Sequence, residues 1–323
     1  MDNNFLKYTN QVENWNILSN TINLEKYVSN VKCIYMENLL ENNKEWTKIL
    51  NNALQSFTEK MILVVSESFV HYEELLSVIE KYENIDFNIE YNMIYLNKKY
   101  LAFYTCFYGS DKNDAFVIPD VPSNKYNCYY FTNNLKMFNQ LMNTEWIRVF
   151  INNKTEDDII ESCMKAKELK VLPENFEELC DYSYTCFFDS KSKKISEDFI
   201  EQKIVNYFIN KNYGLLLRKH QFVSPSVWHE LAESMLQERY RKYYLKYRDY
   251  ILNKLKNGYK ENLPIHSTCN LLLRNMKHNK IKDINNSWYN NIKQCGIQDQ
   301  ISFFFVKQDF NDYIFTFEDN VFL

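Results

Sequence analysis

The chain has 323 residues, which is enough for one large α/β domain or two smaller ones with a sizeable core. Hydrophobic residues make up 46% of the chain and charged residues 25%, so general disorder is excluded. The net charge of −4 provides no overall attraction to nucleic acid or to an anionic membrane, and neither is expected as a partner.

The first part of the chain predicts a small α/β unit. Residues 1–58 read as polar, mostly helical segments. A β-branched run with polar ends then predicts a buried strand over 60–68. Helical spacing of apolar residues predicts a helix over 71–83, and alternation predicts a strand over 87–96. We therefore expect an N-terminal α/β extension over 1–98.

From residue 99 onwards, predicted strands and helices alternate, which is typical of a largely parallel α/β sheet. Ligands bind such sheets beyond the carboxyl ends of the strands, near a switch in strand order. Polar residues at those ends are therefore candidates for a binding site within a domain over 99–323. Strands are predicted over 99–109, 125–134, 146–152 and 182–189, and helices over 156–173 and 195–211.

The sequence after residue 224 predicts one long helix. Ser224 and Pro225 are suited to the N-cap and first helical position, and Gly258 to the C-terminal end. The basic and aromatic part at 238–250 could suggest nucleic-acid binding. Its interleaved acidic residues and its 3.6-residue period favour an amphipathic core helix with a solvated face. Two further strands are predicted from apolar runs, at 270–275 and 301–306.

Several features favour a soluble protein of the cytoplasm. None of the eight cysteines forms a CxxC pair, so a zinc site of that type is not expected and free thiols are. No apolar run approaches a membrane span, and the N-terminus lacks the regions of a signal peptide.

The 25 Tyr and 23 Phe, against 4 Gly and 5 Pro, indicate codon bias from an AT-rich genome.

Two carboxylates stand at positions where they could take part in binding or catalysis. Asp189 ends an apolar strand, where a carboxylate can hold a hard divalent cation or merely cap the next turn. Asp299 and Gln300 stand directly before the apolar run at 301–306. That pair could bind a hydroxyl, orient an attacking group or cap the following element.

Basic residues form the second set of candidates. Lys167 and Lys170 are three residues apart on a predicted helix, so they share a face and could meet phosphate, although surface lysines are far commoner. Lys219 and His220 follow a strand-like run, and Arg274 lies near the end of another. No Walker loop, GxGxxG, GxSxG or HExxH motif occurs, so kinase, dinucleotide oxidoreductase and serine hydrolase functions lose their main support.

Seven segments in order resemble the glycosyltransferase-like family that includes plant pectin and mucilage glycosyltransferases. The aromatic strand that ends in Asp189 and the DQISF sequence at 299–303 carry most of the weight. The resemblance spans residues 100–306. The segments are YTCFYG (104–109), CYYFTNN (128–134), KELKVLPENF (167–176), YSYTCFFDSK (182–191), RKHQF (218–222), NLLLRN (270–275) and WYNNIKQCGIQDQISFFFV (288–306).

The resemblance implies a GT-A-like, Rossmann-type mixed sheet flanked by helices. It implies transfer of a sugar from a nucleoside diphosphate donor, expected to be a UDP-sugar, to a hydroxyl of a glycan, glycoside or protein. Asp189 would bind Mn²⁺ or Mg²⁺, and Asp299 and Gln300 would be catalytic. The donor-binding residues would be Thr105, Phe107, Thr132, Asn133, Lys167, Lys170, Lys219, His220 and Arg274.

The chain also departs from the family pattern. Pro173 is followed by Glu174 where the family has His, and Ser190 stands where the family has Gly. The histidine that usually follows the arginine closely comes later, at His278. These departures concern the donor sugar and the metal. They support an alternative in which the protein is a catalytically silent module that binds a nucleotide sugar or a glycan.

Overall fold

The computed structural model describes most of the chain in two compact units. The first unit is Met1–Tyr100 and the second is Leu101–Leu323, whereas the sequence predicts a boundary after residue 98. The described residues are 15–18, 31–37, 44–65, 69–82, 85–111, 116–123, 126–152, 158–191 and 195–318.

The described part of the first unit contains a five-stranded sheet and two helices. The elements are β1 (Trp15–Leu18), β2 (Val31–Glu37), α1 (Trp46–Ser56), β3 (Phe57–Val64), α2 (Tyr72–Glu80), β4 (Ile85–Glu90) and β5 (Met93–Lys98). The strand order is β1-β2-β3-β5-β4. Strands β1, β2 and β3 are parallel, and β5 is antiparallel to both of its neighbours.

The sequence predicts this unit only in part. The strand at 60–68 and the helix at 71–83 are confirmed by β3 and α2, although 66–68 and 83 lie outside the described residues. The helical prediction for 1–58 is wrong at β1 and β2, since VKCIYME is rich in β-branched and aromatic residues and pairs with β3. The single strand predicted at 87–96 is a hairpin, because its alternation continues through a turn where Tyr91 has φ of 56°.

The described part of the second unit contains a mixed seven-stranded sheet flanked by helices. Its strands are β6 (Leu101–Phe107), β7 (Asn127–Thr132), β8 (Ile147–Phe150), β9 (Tyr184–Phe188), β10 (Leu215–Lys219), β11 (Ser267–Asn275) and β12 (Ile314–Phe317). Its helices are α3 (Leu135–Gln140), α4 (Ile159–Val171), α5 (Glu197–Lys203), α6 (Val227–Ser234), α7 (Glu238–Arg241), α8 (Tyr244–Lys256), α9 (Ile281–Cys295) and α10 (Asp299–Asp309).

The strand order β12-β10-β11-β9-β6-β7-β8 contains a switch at β6. The chain leaves β6 towards β7 and β8, and it then returns to β9 on the other side of β6. Strand β6 is parallel to both β7 and β9, whereas β11 is antiparallel to β9 and β10. The predicted Rossmann-type mixed α/β fold is thereby confirmed, and the carboxyl ends of β6 and β9 form the crevice where such sheets bind ligands.

Helix α4 is confirmed close to its predicted bounds. Asp158 caps its N-terminus by accepting hydrogen bonds from the backbone N–H groups of Ile160 and Glu161. Its C-terminal end is set by Leu172, which leaves helical geometry because it precedes Pro173. The capped helix presents its last turn to the crevice.

The predicted strand at 301–306 is wrong, because this run forms the middle of helix α10. A short apolar run does not distinguish a buried strand from a buried helix, and every residue from Ile301 to Val306 is buried. The side chain of Gln298 caps the helix by accepting from the N–H of Gln300. The helix therefore begins at Asp299 and holds this carboxylate at its N-terminal end.

The single long helix predicted after residue 224 is also wrong, because three helices occupy the region. The N-cap is Ser226, not Ser224. Gln237 and Tyr243 leave helical geometry and separate α6 from α7 and α7 from α8, whereas Gly258, with φ of 90°, follows the end of α8. Of the predicted apolar face, Leu231, Tyr247 and Ile251 are buried and Met235 and Leu255 are half-buried, whereas Tyr244 is 42% exposed. None of the described helices is both long and apolar enough to cross a bilayer.

A buried lysine, Lys307, connects α10 to strands β11 and β12. Its Nζ donates to the carbonyl of Ile265 (3.0 Å), to Ser267 Oγ (3.0 Å) and to Thr316 Oγ1 (2.7 Å). All three acceptors are uncharged. Because burial disfavours the charged form, the pKa of Lys307 falls from its ordinary value of 10.5 to about 8.

We expect this proton to make stability depend on pH between about 8 and 10.5. Below pH 8 both the folded and the unfolded states carry the charge, and its burial costs stability. As pH rises, the folded state loses the proton first, so folding gains about 1.4 kcal/mol per pH unit and about 3 kcal/mol in all. The free energy of unfolding of wild type should therefore rise relative to that of Lys307→Met from pH 7 to pH 10. A constant difference under reducing conditions contradicts the prediction.

Candidate functional site

A cavity of about 230 Å³ lies at the switch in strand order, between the carboxyl ends of β6 and β9. Cys106 and Phe107 border it from β6, Phe187 and Asp189 from β9 and its end. One face of α4 closes another side. The structure thus has a concave site at the place where the sheet type predicts one.

Lys167, Lys170 and Asp189 border this cavity, and a fourth charged side chain, Asp299, contacts both lysines from outside the lining. Lys167 Nζ lies 2.9 Å from Asp299 Oδ1, and Lys170 Nζ lies 2.8 Å from Asp299 Oδ2. Lys170 Nζ is also 3.6 Å from Asp189 Oδ1. The side chains of Lys170 and Asp299 are 4% and 6% exposed, whereas that of Asp189 is 50% exposed. Negative, positive and negative charges therefore follow one another from Asp299 in the interior, through Lys170, to Asp189 at the surface of the cavity.

These contacts keep the buried groups ionised. Burial alone would raise the pKa of Asp299, but Lys167 and Lys170 outweigh it and hold that pKa well below its usual range. Burial opposes the charge of Lys170, yet Asp189 and Asp299 raise its pKa, and Asp299 similarly raises the pKa of Lys167. Asp299 is consequently a weak base, and both lysines are cations at neutral pH.

Arg274 supports Lys170 from inside the protein. Its Nη2 donates to the carbonyl oxygen of Lys170 (2.8 Å), Nη1 to the hydroxyl of Tyr104 (3.2 Å) and Nε to Asn285 Oδ1 (3.1 Å). Asn285 in turn donates to Glu174, so the departure at Glu174 takes part in this network. Arg274 is fully buried and does not border the cavity, where the resemblance would place a donor-binding residue.

A second buried network holds the N-terminal end of α10. Gln298 Nε2 donates to Glu230 Oε1 (3.0 Å), and Glu230 Oε2 lies 2.7 Å from His266 Nε2. The carbonyl oxygen of Asp299 accepts from Trp288 Nε1 (3.2 Å). These bonds connect α6, α9 and the residue before β11 to the helix start, so the backbone that carries Asp299 is held in place.

The donor-binding residues predicted at the ends of β6 and β7 differ in where the structure places them. Phe107 borders the cavity, and Thr105 is completely buried. Thr132 Oγ1 accepts from the backbone N–H of Asn134, and Asn133 Oδ1 accepts from that of Gly109. The Thr132 bond closes the turn after β7, and the Asn133 bond connects the end of β7 to the end of β6.

Three other predicted residues lie away from the cavity lining. Lys219 pairs with Glu318 at 2.7 Å on an exposed surface. The ring of His220 stacks on His266 with centroids 5.4 Å apart. Gln300 Oε1 accepts from the backbone N–H of Cys269 (3.3 Å) and so fastens α10 to β11. The structure therefore brings together Phe107, Lys167, Lys170, Asp189 and Asp299 from the predicted set.

Several cavity residues were missed by the sequence analysis. Arg239 and Tyr240 border the cavity from α7, and Lys191 from the turn after β9. The sequence feature that could have indicated them is the basic and aromatic stretch at 238–250. Interpreted as one straight helix, this stretch predicts only a solvated face. The break before α7 is what turns Arg239 and Tyr240 towards the site.

A divalent ion held by protein groups alone does not fit this arrangement. No group of three or more His, Cys, Asp or Glu side chains in the described ranges is placed to bind a metal. Both oxygens of Asp299 contact lysines, and Asp189 has an ammonium group 3.6 Å away. The remaining possibility is an ion shared between Asp189 and the phosphates of a ligand.

No family model matches the chain, and no curated protein matches it either. Among solved structures, the chain is similar to the apo structure of WbbM, a bifunctional glycosyltransferase, with 11% sequence identity and a TM-score of 0.38. The similarity covers 68% of this chain and 38% of the other, so the chain spans well under half of that protein's length. At this identity and TM-score the likeness carries no functional argument, and membership of the family that the seven segments resemble stays a prediction.

Proposed function

We propose that the protein is a glycosyltransferase that moves a sugar from a nucleoside diphosphate donor, a UDP-sugar, to a hydroxyl acceptor. The observation that carries the proposal is the contact of Lys167 and Lys170 with Asp299 beside a cavity at the strand-order switch. Lysines fixed at such a crevice suit phosphate, and Asp299 fixes the positions of their ammonium groups because each of its oxygens contacts one of them. The ordered segments that resemble a glycosyltransferase family support the same reaction.

In the proposed reaction, the bond between the anomeric carbon of the sugar and the phosphate oxygen breaks. The diphosphate leaves with the electron pair, and the acceptor oxygen forms the new bond to the anomeric carbon and loses its proton to solvent. The negative charge that develops on the diphosphate is stabilised by Lys167 and Lys170. The resemblance implies Mn²⁺ or Mg²⁺ at Asp189, and no step of the proposed reaction depends on it.

The alternative, a silent binding module, is favoured by one observation. Asp299 is held between two ammonium groups that keep its pKa low, so it is poorly suited to remove a proton from an acceptor. A protein of this kind would bind UDP or a glycan without turnover.

UDP release from a panel of UDP-sugars, with and without Mn²⁺, tests the proposal. We expect release from at least one donor, and we expect a hydroxyl acceptor to accelerate it because transfer is faster than hydrolysis. Calorimetric binding of UDP without release from any donor would favour the silent module. If no sugar nucleotide binds and none releases UDP, the transferase and a module that binds nucleotide sugars are both excluded, and only the glycan-binding module is left.

A further inference from the structure

We propose that lysine and arginine side chains, and not a divalent ion, neutralise the diphosphate in this protein. The inference rests on the proposed function for the identity of the ligand, and it departs from the metal that the resemblance implies. Three properties of the cavity support it: the place of the Lys170 ammonium group, the net charge of the surrounding side chains and the donors that they offer.

The ammonium group of Lys170 already lies beside the carboxylate that would bind a metal ion. It lies 3.6 Å from Asp189 Oδ1, the carboxylate on which metal binding would depend. A hard ion sits about 2.0–2.6 Å from a carboxylate oxygen, so it would lie within about 6 Å of this ammonium group. Lys170 is 4% exposed, contacts Asp299 and has its carbonyl bonded to Arg274, so it is poorly placed to move away from a second cation.

The charges around the cavity match a diphosphate without further cations. Cationic side chains outnumber carboxylates among the residues that border the cavity, so the lining carries an excess of positive charge. The diphosphate of a nucleotide sugar carries two negative charges, so the ligand and the site are complementary in sign. A divalent ion would add two more positive charges to this excess. The bordering cations are Lys167, Lys170, Lys191 and Arg239 and the bordering carboxylate is Asp189, whereas Asp299 contacts two of these lysines from outside the lining.

The cations also offer donors in suitable numbers. An ammonium group has three donors, and Lys167 contacts one carboxylate and Lys170 two. Each lysine therefore retains at least one donor for a phosphate oxygen. Arg239 borders the cavity from α7 with an exposed side chain, and its planar guanidinium can pair with two phosphate oxygens at once.

Calorimetry on the full chain tests the inference with UDP and with inorganic pyrophosphate, in EDTA and in Mn²⁺. We expect the Kd of UDP in EDTA to lie within about threefold of its value in Mn²⁺, because the lysines supply the neutralisation. Lys170→Met should weaken binding at least about tenfold, the loss of one charge-assisted contact. Asp189→Asn should bind UDP in EDTA as tightly as wild type or more tightly.

The matched control is Lys165→Met, since Lys165 lies on the same helix but pairs with Glu168 outside the cavity lining. It should leave both affinities unchanged. If Lys170→Met does not fold, Arg239→Gln removes an exposed cation of the same cavity and should weaken both ligands. The inference is overturned if UDP binds only with Mn²⁺, or if Asp189→Asn abolishes binding.

The outcomes separate this inference from the proposed function. Pyrophosphate binding in EDTA without binding of UDP would sustain the inference and reject the nucleotide-sugar donor. UDP release that requires Mn²⁺ would sustain the transferase and reject the inference. If neither ligand binds under either condition, both are rejected.

Discussion

Asp299→Asn should lower the rate of UDP release at least about 100-fold, because loss of the carboxylate releases the two lysines that it positions. Both oxygens of Asp299 lie within 2.9 Å of an ammonium group, and its side chain is 6% exposed. Asparagine keeps the shape but not the charge. The affinity for UDP should stay the same or increase, since the cavity becomes more positive. Steady-state release and calorimetry on the same variant measure the two effects.

The same change should also destabilise the fold. Removing one partner of a buried ion pair typically costs about 3–5 kcal/mol, because the other charge remains buried without compensation. The control is Glu168→Gln, which removes a carboxylate from the same charged region of α4 but from the more exposed pair with Lys165. That variant should retain turnover. A wild-type rate of release by Asp299→Asn would show that this carboxylate has no part in the reaction.

Arg274→Met should lower the free energy of unfolding by about 2–4 kcal/mol, the cost of leaving buried polar groups without a hydrogen-bond donor. The guanidinium is completely buried and donates to Lys170, Tyr104 and Asn285 through three different nitrogens. Methionine fills much of the volume but removes all three donors. The carbonyl of Lys170 keeps the hydroxyl of Tyr104 as a donor (3.3 Å). Asn285 Oδ1 loses the donor that Arg274 supplied, which is costly in the interior. Denaturant unfolding with a shared m-value measures the change.

Arg274→Lys should recover little of this loss, because a single ammonium group does not reproduce the planar fork of the guanidinium. The exposed Arg248, which pairs with its neighbour Asp249, is the matched control. Arg248→Met should leave the free energy of unfolding unchanged within the error of the measurement. A loss below about 1 kcal/mol for Arg274→Met would mean that its network contributes little.

The sheet of the second unit was largely predictable, because strands such as β6, β7 and β9 are apolar runs that end at polar residues. Helix α10 was not. Its apolar residues are buried on every side, so the run at 301–306 has no polar face that would reveal a helical period. The hairpin of β4 and β5 was not predicted for a related reason, since the alternation of apolar and polar residues over 87–96 continues through the turn.

The site was predictable where side chains share an element and less so where elements converge. The spacing of Lys167 and Lys170 on α4 placed them on one face, and both meet Asp299. The approach of α7 depends on breaks between helices that the sequence does not signal strongly, so Arg239 was missed. The residue type of Arg274 suggests ligand binding. Only its complete burial in the structure shows that it supports Lys170 instead.

The contacts at the backbone carbonyl and at the ammonium group of Lys170 affect the thermodynamics of ligand binding. A lysine on a protein surface loses about 1.5–2 kcal/mol of rotamer freedom when a ligand fixes it. Lys170 has its carbonyl bonded to Arg274 and its ammonium group between Asp189 and Asp299, so most of that freedom is lost during folding. A phosphate that reaches this ammonium group meets a preorganised donor, and little conformational entropy opposes their association.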